Sequence, residues 1–152
     1  MGEKIEFRNN QLDLARDFVS TYSKLRPDWK ETSKYPESKE IFQRGVSEME
    51  PTQKIMWDMR SVGRMPHISA IVAEAILDQD FEQSERWVEQ PEIIRSVLRV
   101  AVNMDLGDWR GIDVDRSMGE KVHKSEETIS LEKFLAKLEE QTALSIGERR
   151  IS

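Results

Sequence analysis

The chain has 152 residues, about the size of one domain and long enough to bury a core without covalent staples. It carries no cysteine, which excludes disulfides, thiolate zinc sites, iron–sulfur clusters and a cysteine nucleophile. Its formal net charge of −6 opposes non-specific attraction to phosphate backbones and disfavours nucleic acid as a partner.

The opening MGEKIEFRNN is charged and lacks an apolar centre, and no apolar run approaches the ~20 residues that span a bilayer. Neither a signal peptide nor a membrane helix is expected, and the expected location is cytoplasmic, which the absence of cysteine fits. Glu6 stands where a myristoylation motif needs Ser or Thr.

In chain order, residues 10–25 place Leu12, Ala15, Phe18, Val19, Tyr22 and Leu25 at three- and four-residue steps, with Asn10 as cap. This predicts an amphipathic helix that stops at Pro27. A polar linker follows, in which Trp29 and Tyr35 are the apolar exceptions. Ser38 caps a second helix carrying Ile41, Phe42, Val46 and Met49, with Gly45 costing about 1 kcal/mol relative to Ala.

Pro51, Pro66 and Pro91 each begin a run of helical periodicity, where the missing N–H is harmless and the fixed φ is already helical. The first run holds Ile55, Met56, Met59 and Val62 and ends at Gly63. The second has the cleanest core stripe, Ile68, Ile71, Val72, Ala75 and Ile76, which loses phase after Asp78. Asp80 and Gln83 form a capping-box pair there and predict a kink or a new helix. The third, with Ile93, Ile94, Val97, Leu98, Ala101, Val102 and Met104, is apolar on more than half its circumference and is expected to be central.

Residues 105–119 read as a long Gly/Asp-rich loop, with Gly107, Gly111 and Gly119 available for positive φ. Ser130 then caps a last helix with Leu131, Phe134, Leu135 and Leu138. Ile5-Glu6-Phe7 and Ile112-Asp113-Val114 alternate briefly, enough only for a short ribbon. The expected fold class is all-α: a compact bundle of about five to seven helices in one domain over residues 1–146, with a flexible tail over 147–152.

Four groups of residues are candidates for function. Trp109 and Arg110 in the loop, and Trp29 and Tyr35 in the linker, suit partner-binding anchors, because exposed Trp, Tyr and Arg concentrate binding energy. Asp113-x-Asp115-x-Ser117 follows the first three ligand positions of a calcium loop, but Met118 replaces the required Gly and Lys124 the bidentate Glu.

Glu74, Asp78, Glu82, Glu85 and Glu89 form an acidic row whose carboxylates, if brought together, suit Mg²⁺ and attack on a phosphate ester. Glu82-x-x-Glu85 is similar to the carboxylate pattern of all-α nucleotide pyrophosphohydrolases, without the doubled first Glu. Arg116 and His123, with six residues between them, resemble the Arg-x(4–6)-His motif of HEPN ribonucleases, small all-α dimers. That resemblance implies His123 as general base and Arg116 as stabiliser of phosphate charge, although Gly119 interrupts the helix on which the family carries it.

No glycine-rich phosphate loop, nucleophile elbow or dinucleotide fingerprint occurs, and no cofactor is expected. The composition favours a small helical adaptor or assembly subunit without catalytic activity, working on a protein partner that includes a second copy of itself among the candidates. The alternative is a phosphate-ester or nucleotide/RNA-processing enzyme using the acidic row or the Arg116/His123 pair.

Overall fold

A computed structural model describes residues 2–62, 67–78 and 91–151, with side chains over 12–62, 67–78 and 93–140. Among the described residues it holds seven α-helices and no strand: α1 (Gly2–Leu25), α2 (Trp29–Thr32), α3 (Tyr35–Ser47), α4 (Thr52–Arg60), α5 (Ile68–Asp78), α6 (Pro91–Ser117) and α7 (Glu126–Ile151). None of the described helices is long and apolar enough to cross a membrane. The all-α expectation holds. The two short alternating segments lie inside α1 and α6 and are helical rather than extended.

The bundle is organised around α5, which packs against α1, α3 and α6. Eight of its eleven residues are buried, which leaves only a narrow polar edge at Glu74 and Asp78. Around it, α6 also packs on α4 and α7, and α7 closes onto α1. The stripe read from the sequence of α1 is confirmed at Ala15, Phe18 and Tyr22, all buried. Phe18 stacks on Phe134 of α7 with centroids 4.3 Å apart, an offset pair that fastens the two helices.

Gly45 of α3 is explained by the neighbouring helix. A β-carbon there would lie 2.6 Å from Cγ1 of the buried Ile55 on α4. The propensity cost of a mid-helix glycine is therefore accepted for a close helix–helix approach.

The largest departure from the sequence reading concerns residues 105–117. They form no loop but the last turns of α6, which runs unbroken to Ser117. Gly107 and Gly111 sit on its solvent face, with nothing within 4 Å of the position a β-carbon would take. Leu106, Trp109 and Asp113 are buried on the other side and continue the stripe of Val97, Leu98, Ala101 and Val102. Tertiary burial outweighs the ~1 kcal/mol that each glycine costs a helix. Replacing Gly107 and Gly111 with alanine is accordingly expected to stabilise the fold by about 0.5–1 kcal/mol each. Thermal unfolding of the single and double variants checks this; a loss of stability would mean a backbone conformation that only glycine tolerates.

The helix ends at Met118 and Gly119, both left-handed, with φ of 52° and 85°. Of the three glycines read as positive-φ positions, Gly119 alone takes one, while Gly107 and Gly111 are helical and a methionine shares the turn. The cap of α7 is Ser125 rather than Ser130: its Oγ accepts from the Thr128 N–H at 3.2 Å. The same helix continues through residues read as a tail, to Ile151. Ser38, proposed as a cap, lies buried inside α3, which begins at Tyr35. The proposed stop at Gly63, Pro66 and the break at Asp80 lie outside the described residues.

Candidate functional site

The inner face of α6 carries Asp105, Trp109 and Asp113 at successive four-residue steps, so all three point into the bundle. Each meets a different element. The two carboxylates, both nearly inaccessible, lie at the N-termini of α5 and α7, the ends where backbone N–H groups have no intrahelical partner.

Asp105 accepts from the Ser69 N–H at 2.9 Å and from the Ser69 hydroxyl, and the Ile68 N–H also bonds to it. It thereby caps α5 from 36 residues away in sequence. Burial nonetheless dominates and pushes its carboxyl up to about 6, the Ser69 and Ile68 bonds opposing and the charge of Asp108 assisting.

Asp113 performs the equivalent task for α7. Its Oδ2 accepts from the Thr128 hydroxyl at 2.6 Å and from the Ser125 N–H at 3.2 Å. Burial raises its carboxyl, but the bonds from Thr128 and Ser125, helped by Arg116, together hold it below the ordinary carboxylate value.

Trp109 lies between the two caps and closes a chain of buried polar groups. Its Nε1 donates to the Tyr22 hydroxyl at 3.4 Å, and that hydroxyl meets Nδ1 of His67 at 2.5 Å. The indole can only donate, so the tyrosine hydroxyl accepts from it, while the direction of the Tyr22–His67 bond follows the tautomer of the imidazole. Burial and the positive charge of Arg26 lower the imidazole below its ordinary value and keep it neutral. Burial raises the Tyr22 phenol. Arg26 lies over the Trp109 ring, 5.6 Å from its centroid. His67 itself is left-handed, φ 65°, immediately before α5, and its carbonyl accepts from the Ile71 N–H at 3.1 Å.

The residues singled out from sequence divide sharply. Trp29 and Trp109 are core residues, 1% and 7% exposed, and neither is presented to a partner in this fold. The physical reason is that both indoles have internal acceptors, Ser23 Oγ at 3.0 Å for Trp29 and Tyr22 for Trp109. Tyr35 is half-buried: it packs edge-on to Trp29, donates to Asp78 at 2.9 Å and lies between the ammonium groups of Lys30 and Lys39. Arg110 is exposed but directed along the bundle, 3.6 Å from Glu132 of α7.

Arg116 and His123 are both exposed, and the helix carrying Arg116 stops at Ser117, so the pair does not share a helix as the ribonuclease motif requires. The His123 N–H is 3.4 Å from Ser117 Oγ. Asp115 is exposed, whereas Asp113 has its carboxylate committed to α7, so the calcium-loop spacing does not turn the two toward a common point.

No group of three or more His, Asp or Glu side chains suited to a metal occurs among the described residues. Of the acidic row, Glu74 pairs with Lys30 at 3.2 Å and Asp78 with Lys39 at 2.7 Å, while Glu82, Glu85 and Glu89 lie outside the described residues.

One surface residue was missed. Trp57 on α4 is 73% exposed, while Ile55, Met56 and Met59 of the same helix are core. The signal was present as an aromatic residue on the polar face of an otherwise amphipathic segment.

No family model, no curated protein and no solved structure matches this chain.

Proposed function

We propose that this chain is a helical interaction subunit that binds a protein partner through the outer face of α4, with Trp57 as the anchor. The observation that carries this reading is the exposure of Trp57, 73% of the residue, on a helix whose opposite face is fixed in the core. An indole held on a rigid helix loses little conformational freedom on binding and offers a large contact area. Met49, half-exposed at the turn preceding α4, adds a second apolar side chain before the same helix. The perturbed polar groups of the interior, Asp105, Tyr22 and His67, are bonded to one another or to helix ends, which supports a structural duty for them.

The test is purification from the native host with wild type and Trp57→Ala side by side. Truncation of so exposed a side chain should change stability by less than about 0.5 kcal/mol. Proteins captured by the wild type are expected to disappear from the variant although its melting temperature is unchanged. Retention of every partner at unchanged affinity would remove Trp57 from the proposal.

A further inference from the structure

A second surface, on elements other than α4, lies between α1 and α7. Phe18 of α1 stacks on Phe134 of α7 and holds the two helices side by side. Between them a groove of about 440 Å³ is floored by Phe18 and Phe134 and walled by Leu14, Leu25 and Ile129. Ile129 is 40% exposed at its edge.

The charges around this groove are arranged differently from those elsewhere on α7. On the flank facing α6, Glu132 lies within 3.6 Å of Arg110 and 3.1 Å of Lys124, and Glu139 within 2.7 Å of Arg99. On the flank facing the groove stand Glu126, Lys133 and Lys137, with Asp17 across on α1. None of these four is ion-paired among the described residues. Glu126 lies at one end of the patch, and the two lysines lie about one and two turns beyond Ile129 toward the other.

We infer that this groove is the interface between two copies of the chain, related by a two-fold axis that sets their α7 helices antiparallel. Along α7 an acid at one end, bases at the other and an apolar side chain between are complementary to their own inverted copy, with Asp17 of α1 beside Phe18 at the lysine end. In that arrangement Ile129 of each copy enters the apolar groove of the other. Glu126 of each copy faces the Lys133–Lys137 end of its mate, and the unpaired charges gain partners. Both signs of charge within so small a patch fit this occupant better than a uniformly acidic or basic partner.

The test is a charge exchange read by sedimentation velocity and native mass spectrometry on the full chain. Wild type is expected to be a dimer at micromolar concentration. Glu126→Lys, and separately the double variant Lys133→Glu/Lys137→Glu, should each weaken dimerisation at least about tenfold, as close charge pairs across interfaces do. All three positions are on the surface, and circular dichroism verifies that the variants are folded. Mixing the two variants should restore a dimer of one copy of each, because every repulsive pair is then converted to an attractive one.

The inference is overturned if wild type is a monomer, if either variant dimerises like wild type, or if the mixture forms no mixed dimer. Trp57→Ala should leave the dimer intact, so loss of the α4 reading and loss of this one are separate results.

Discussion

Asp105→Asn is expected to make the protein more stable at neutral pH, by on the order of 2–3 kcal/mol, although it removes the charge from a helix cap. The carboxyl titrates at about 6 in the fold against an ordinary 3.8, so the folded state holds its proton more tightly than the unfolded chain does. A group raised in this way contributes stability that is complete below 3.8 and lost as pH rises through about 6. At pH 7 the folded protein bears a buried charge, and the displacement corresponds to about 3 kcal/mol.

Asparagine keeps an oxygen to accept from the Ser69 N–H and hydroxyl and carries no charge to desolvate. Its advantage over wild type should be present at pH 7 and shrink toward zero as pH falls from 6 to 3.8.

His67 contributes with the opposite sign. Its lowered imidazole supplies stability above its ordinary 6.5 that is lost as pH falls through its folded value. Wild type therefore combines one gain and one loss on mild acidification, whereas Asp105→Asn should show only the loss. Urea unfolding from pH 4 to pH 8 resolves the two profiles. If the variant is less stable at pH 7, the field of the α5 N-terminus outweighs burial and Asp105 is a favourable anion there.

The α1 stripe, the proline-marked starts of α4 and α6 and the apolar content of α5 were legible because they depend on spacing along one element. The inner face of the last turns of α6 was not. Residues 97, 98, 101, 102, 105, 106, 109 and 113 follow a single helical period, but two of them are aspartates, and a local reading assigns aspartate to solvent. What permits their burial is the N-termini of α5 and α7, 36 and 12 to 15 residues away. Trp109 was misplaced for the same reason: its acceptor, Tyr22, is 87 residues distant. Trp57 was overlooked because it falls outside the apolar stripe of Ile55, Met56 and Met59, and spacing alone marks only the buried face.

Asp113→Ala should be among the most damaging single substitutions in the described part of the chain, at about 2–3 kcal/mol. The methyl group removes the acceptor for the Thr128 hydroxyl and the Ser125 N–H at a point where Thr128 is fully buried. Thr128 and Ser125 are 2.9 Å apart, so each hydroxyl can donate to the other, but not both at once. With Ser125 as donor the buried Thr128 hydroxyl is left without an acceptor, and with Thr128 as donor the part-buried Ser125 hydroxyl is, in addition to the Ser125 N–H that loses the carboxylate.

Asp113→Asn keeps an acceptor oxygen and should cost clearly less, which separates the hydrogen bonds from the charge. The wild-type carboxyl lies below its ordinary value, so its contribution is present above 3.8 and is lost as pH falls through the folded value. The variants should lack that acid sensitivity.

The damage should also be local before it is global. Hydrogen exchange in the first turns of α7 should accelerate in Asp113→Ala, while α5, capped by Asp105, keeps its protection. Because Glu126 and Ile129 lie in those same turns, the alanine variant should also dimerise less well than Asp113→Asn. Equal protection of α7 in the two variants would show that the Ser125 cap alone holds the helix start.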